Sequence, residues 1–225
     1  MLRALGDPFS FVVLLLSFVV AVTLHGWVQC LVADRAGDRA PRAEGRLAPD
    51  PRRHIDPFGA IAGLIAGMGW AKPLEPQARR RGRGSVLAVY LSGAAVNLVV
   101  GVLSLVAFRL QSGAGLPGSS STLLQYGVGG GSAGLRVLVL FGLMNLYVGI
   151  LSLVPLPPLD GGRLLFALGP GSVGWQKAEY RLVEQNIGLV AVLVLLLLPL
   201  GGPQALLPTV LDQIVGPLVR LVTGG

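Results

Sequence analysis

The chain has 225 residues, 52% of them hydrophobic and only 13% charged, with a formal net charge of +7 and a mean hydropathy of +0.70. That balance excludes an ordinary water-soluble domain, whose core would be wrapped in charged surface. Windows such as Phe9 to Ala33 and Val86 to Phe108 contain no Asp, Glu, Lys or Arg, so they face lipid or each other, and the chain is an integral membrane protein.

The positive charge is not spread as a nucleic-acid-binding surface would spread it. Eleven of the 18 Lys and Arg residues fall between Asp34 and Gly84, while Gln111 to Leu135 carries no charged side chain. This asymmetry fits the positive-inside rule, places the charged loops 34–84 on the cytoplasmic side of the membrane, and makes membrane lipid, not nucleic acid, the expected partner. The single cysteine, Cys30, rules out an intrachain disulfide framework.

Phe9 to Ala33 is predicted as the first span, too long for a signal-peptide core and therefore retained. Asp34 to Asp56, with six Arg against five acidic residues and Pro41, Pro49 and Pro51, is a polar loop at the membrane surface. Pro57 to Trp70 is apolar but short, and it runs into AKPLEP, so a re-entrant or shallow element set against a site is expected. Ser85 to Leu110 is the second span, Gln111 to Gly134 an uncharged Gly/Ser-rich loop, and Leu135 to Leu153 the third span, broken at VPLPPLDGGRLL around Asp160. Asn186 to Leu200 reads as a fourth crossing, and Ala205 to Val222, interrupted by Pro208 and Pro217, as a kinked or partial one. The expected fold is an all-α membrane protein of about 4–6 transmembrane or partial helices in a single membrane-embedded domain, 1–225.

His25 and Gln29 stand four residues apart in the first span, on one helix face, and Asp160 stands at an unwound helix end. With the cytoplasmic assignment above, His25 and Asp160 converge at a similar depth on one side of the bilayer. Intramembrane ionisable groups are costly unless paired and mark function more often than they do in soluble proteins; the alternative is a hydrogen bond that merely joins two helices.

At this point the chain resembles the site-2 protease family, the membrane-embedded zinc metalloproteases, and in particular its compact bacterial members without inserted PDZ domains. The resemblance rests on ordered blocks: HGWVQ at 25–29, HIDPFGA at 54–60, GWAKP at 69–73, SGAAVN at 92–97 and NLYVGILSLVPLPPLDGGRLL at 145–165. It implies that the first block stands where the family has H-E-x-x-H, whose two His hold zinc while the Glu activates the zinc-bound water, and that a later D-G motif supplies the third ligand. Carried over position by position, His25 and Asp160 are retained ligand positions. Gly26 occupies the position of the Glu, and Gln29 that of the second His.

Those two departures weigh against zinc and against hydrolysis. A catalytic zinc site needs three protein ligands and an open position, and a Gln amide is a poor substitute for imidazole. Loss of a general base alone costs ~10²- to 10⁴-fold in rate. The sequence therefore points to a pseudoprotease: no cofactor is expected, zinc being the metal if one is bound, and the protein acts by binding or regulating a membrane protein, with a client's transmembrane segment as partner. The alternative is an active intramembrane metalloprotease with a rearranged set, His25, His54 and Asp160. The plainer role for His54 and Asp56 is to organise their loop through hydrogen bonds. A transporter or channel component is disfavoured by the absence of internal repeats.

Cys30 points away from the His25 face and is expected to be a packing residue. Asn97 and Asn145 are candidates for cross-helix hydrogen bonds or for a substrate groove. Trp70 is expected as an interface anchor, the Arg79–Arg83 run as a topology determinant with an anionic-lipid alternative, and GGG at 129–131 as a loop.

Overall fold

Asp7 and Pro8 set the start of the first long helix. The Asp7 side chain accepts a hydrogen bond from the Ser10 backbone N–H at 3.4 Å, and Pro8 occupies the first turn, where its missing N–H leaves no bond unmade. The computed structural model describes residues 1–75, 82–113, 115–116, 119–199 and 205–224. After a 3-10 turn (Leu2–Gly6), α1 (Pro8–Arg35) runs for 28 residues, followed by the short α2 (Ala40–Ala43) and α3 (Pro51–His54) in the charged loop and by α4 (Pro57–Ala66). Then come α5 (Arg83–Ser112), α6 (Ser120–Tyr126), α7 (Ala133–Ser152), α8 (Asp160–Leu168) and α9 (Val173–Glu179). A π-helical turn (Tyr180–Glu184), α10 (Ile187–Leu197) and α11 (Leu206–Thr223) complete the order. Among the described residues no strand ladder forms; the nearest approach is an isolated antiparallel bridge between Ile55 and Ala71.

Four helices, α1, α5, α7 and α11, are long and apolar enough to cross a bilayer, and α9 with its π turn plus α10 makes a fifth if that pair, bent by 60°, is counted as one. The protein is an all-α integral membrane protein. Helices α1, α5 and α7 pack on one another most extensively, and α11 lies against α5, α6 and α7. The central helix α7 buries an unbroken run from Gly142 to Ser152, as a helix apolar on all sides must when it is surrounded by others. On α1 the buried positions Leu14, Phe18, Ala21, His25 and Gln29 follow three- and four-residue steps, so the two polar groups share the face that packs the core. Val12, Leu16 and Val20 point outward and are about half exposed.

The structure exchanges the parts expected of the last two apolar segments. Helix α10 covers only 11 residues, about 16 Å, too short to cross alone. Its start is fixed by Asn186 in a left-handed conformation (φ 56°) just after the π turn, and it ends in extended backbone at Leu198. Helix α11, by contrast, is continuous over 18 residues. Pro208 falls in its first turn, and the buried positions Leu211, Val215 and Val219, at four-residue steps, hold the helix through Pro217. The loop 111–134 also contains a helix that composition did not announce, α6, capped by Ser119, whose hydroxyl accepts from Thr122 N–H.

The Pro57–Trp70 segment is a short helix followed by extended chain. Gly67, at φ 85°, stops α4 in the left-handed region that glycine adopts without strain. Ala71 then pairs with Ile55, and Lys72 N–H donates to the His54 carbonyl at 2.7 Å, folding the segment back over α3. Of the Arg79–Arg83 run, Arg79, Arg80 and Arg81 lie outside the described residues.

Candidate functional site

His25 is positioned by α1 and by a glycine on α5. It is 1% exposed, and a Cβ added at Gly93 would lie 2.5 Å from its Nε2, so the absence of a side chain at residue 93 is what admits the imidazole. Asp160 is the first residue of α8 and is 7% exposed. The DGG sequence explains its placement: a Cβ at Gly161 would fall 2.2 Å from the Leu153 carbonyl oxygen, and one at Gly162 2.3 Å from Leu156 C. Two glycines therefore let α8 rest directly on the backbone that leaves α7. The helix start also favours a negative charge there.

These placements bring His25 Nε2 and Asp160 Oδ2 to 2.6 Å across 135 residues of sequence. A carboxylate only accepts, so Nε2 carries the proton and donates. His25 Nδ1 is buried with no partner among the described residues. Around the pair, Trp70, Ala71, Val148, Ser152, Pro158 and Leu159 leave a void of about 10 Å³, on the scale of one water. Gln29, 1% exposed, donates through Nε2 to the Tyr90 carbonyl at 3.5 Å and leaves its Oε1 unpaired.

His54 sits behind the pair, not in it. Its Nε2 lies 3.0 Å from the Ala48 carbonyl, and its ring covers Gly26, where an added Cβ would stand 2.9 Å from His54 Nδ1. Asp56 caps α4 by accepting from Gly59 N–H at 2.8 Å. Both side chains thus organise their own loop. Burial lowers the His54 pKa from its ordinary value. No three His, Cys, Asp or Glu side chains are grouped closely enough to hold a metal ion among the described residues, so His25, His54 and Asp160 do not form one cluster.

Over 192 residues, 84% of this chain and 82% of the relative, the sequence is 30% identical to the protein named "Putative zinc metalloprotease YwhC" from Bacillus subtilis (strain 168). The chain belongs to the site-2 protease family. No family model and no solved structure matches it.

Measured against the zinc chemistry of that family, the donor set does not fit a catalytic zinc. A catalytic zinc needs three protein ligands and an open position, and among the described residues no three His, Cys, Asp or Glu side chains are grouped to supply them. The next polar group on the helix is an amide, and the position of the general base has no side chain.

The remaining residues singled out in the sequence are placed as follows. Trp70 is no interface anchor: it is 3% exposed and forms part of the wall beside His25 and Asp160. Asn97 bonds to no helix neighbour, since both its amide atoms are buried without a partner among the described residues; Asn145 donates to Phe141 O on its own helix at 2.9 Å. Cys30 is fully buried beside Ala33, Leu74 and Val89, in the packing role expected of it.

Sequence reasoning missed a second polar centre. Asp212 Oδ1 on α11 accepts from Tyr147 OH at 2.6 Å, from Ser120 Oγ at 2.7 Å and from the Ser121 backbone N–H at 3.1 Å. The signal was present: Asp212 is the one acidic residue in the last apolar stretch, and carboxylates in such stretches have partners.

Proposed function

We propose that this chain is a proteolytically inactive member of the site-2 protease family that keeps the membrane core and uses it to hold a transmembrane segment of another membrane protein, as a regulator or scaffold. The observation that carries the reading is Gly26. Where the family resemblance places the base that activates water, there is only a glycine, and the ring of His54 occupies the space beside it. The amide at Gln29, and the absence among the described residues of three grouped His, Cys, Asp or Glu side chains, support the same reading from the metal's side. On this view the charged loops 34–84 face the cytoplasm of a bacterial cell and meet anionic lipid.

Metal analysis and a cleavage assay on the purified chain test the reading together. The expected result is no stoichiometric zinc and no cleavage of a membrane-embedded substrate. Stoichiometric, chelator-sensitive zinc, with cleavage abolished in both His25→Ala and Asp160→Ala, would establish an active protease instead. Installing Gly26→Glu with Gln29→His asks the converse question: recovered zinc and cleavage would mean that only these two groups had drifted. Co-purification in mild detergent identifies the client.

A further inference from the structure

His25 and Asp160, the two retained ligand positions, are buried, seated against glycines and joined to each other at 2.6 Å. We infer that His25 and Asp160 form a metal-independent latch, a direct hydrogen bond that ties α1 to α8 and keeps the Pro157–Leu159 turn closed over the site. This inference rests on the inactive reading of the same site.

Three features support a latch over an idle remnant. The bond supplies a polar tie between α1 and α8, beside the apolar packing of Leu164, Ala167 and Leu168 on Val86 and Tyr90 of α5 and the ion pair of Arg163 with Glu75 at 2.9 Å. The pair is 1% and 7% exposed, so the hydrogen bond is shielded from water and its loss leaves a buried charge or ring nitrogen unsatisfied. Finally, the turn it holds is a partition. Pro158 lines the void of about 10 Å³ beside His25 on one side, and on the other a cavity of about 480 Å³ bordered by Arg46, Asp56, Lys72, Glu75 and Arg163. With the latch closed, the polar cavity and the buried site are separate; release of α8 joins them.

A buried reporter in the turn reads the latch directly. Leu159, 2% exposed, is replaced by Cys in a Cys30→Ala background of the full chain in detergent micelles, and labelling by a polar maleimide is timed. His25→Phe keeps a ring against Gly93 but removes the donor, and is expected to speed labelling by about ten- to hundredfold, the shift in open population that loss of a charge-assisted hydrogen bond gives. Asp160→Asn keeps an acceptor and is expected to fall between His25→Phe and the parent. A chelator or added zinc is expected to leave the labelling rate and the thermal midpoint of the parent unchanged. Equal labelling in all three proteins would overturn the latch while leaving the inactive reading in place. Bound zinc whose removal speeds labelling would overturn both.

Discussion

Two polar centres among the described residues, the half-buried Asp212 cluster and the buried His25–Asp160 pair, differ in how completely their atoms are paired. At Asp212 one carboxylate oxygen receives three donors, from Tyr147, Ser120 and the Ser121 backbone, and binds α11 to α6 and α7. At His25 and Asp160 one good hydrogen bond stands beside His25 Nδ1 and Trp70 Nε1, with Gln29 Oε1 one turn further along α1, all three without a partner among the described residues. A network kept for stability satisfies its members, because an unpaired buried polar atom costs free energy with no return.

The sharpest way to break this contrast is at the satisfied centre. Asp212→Ala removes the acceptor of three donors, of which Ser120 Oγ and Tyr147 OH, 3.1 Å apart, can still pair with each other, and is expected to cost about 2 kcal/mol of stability, whereas Asp212→Asn, which keeps one oxygen acceptor, should cost about half as much. Equilibrium unfolding in mild detergent measures both. A loss below about 1 kcal/mol for the alanine variant would mean that the cluster does not hold α11.

Next in size is a packing test at the other centre. Gly93→Ala drives a methyl to within 2.5 Å of the His25 ring, and such overpacking is expected to cost about 1–3 kcal/mol. Gly134→Ala in α7 meets nothing within 4 Å and is the matched control, expected to be neutral or to gain about 0.5–1 kcal/mol from helix propensity. If both variants unfold alike, the close seat of His25 on α5 is not a constraint.

The contrast also explains what could be read in advance. His25 and Asp160 were legible as partners because a family frame and two separate polar interruptions of apolar sequence pointed to the same depth. Trp70 was misassigned because a tryptophan beside a lysine has the composition of an interface anchor, and only the fold-back of Ala71 onto Ile55 turns its ring inward. Hydropathy ranked Asn186–Leu200 above Ala205–Val222 because it weighs side chains; the backbone break at Tyr180–Asn186, which shortens α10, lies outside the apolar window. The Asp212 cluster needed tertiary structure, since Ser120 and Tyr147 are unremarkable until α6 and α11 meet α7.

A smaller effect is expected at Asn97. Because neither amide atom has a partner among the described residues, Asn97→Leu removes a desolvation cost and is expected to leave stability unchanged or raise it by about 1 kcal/mol. A loss of about 2 kcal/mol would show that the amide is paired in the membrane and would move Asn97 to the satisfied class.

The smallest effect concerns His54, the loop histidine that covers Gly26. Its ordinary pKa of 6.5 is lowered in the fold, first by burial, with the Ala48 carbonyl opposing. The unfolded chain therefore binds a proton at a pH where the folded one does not. The stability held by neutral His54 is fully present above about pH 6.5 and declines as the pH falls below it, until the depressed folded pKa is reached. The amine of Met1, lowered to about 6 by burial and by Arg3, adds a decline of the same sign that begins higher, below its ordinary 8.0. His54→Gln is expected to flatten the slope of stability against pH below about 6.5 while leaving the Met1 portion between about 8 and 6. An unchanged slope would mean that the ring opens to water before it protonates, and that its cover over Gly26 is looser than the packing of α3 on α1 implies.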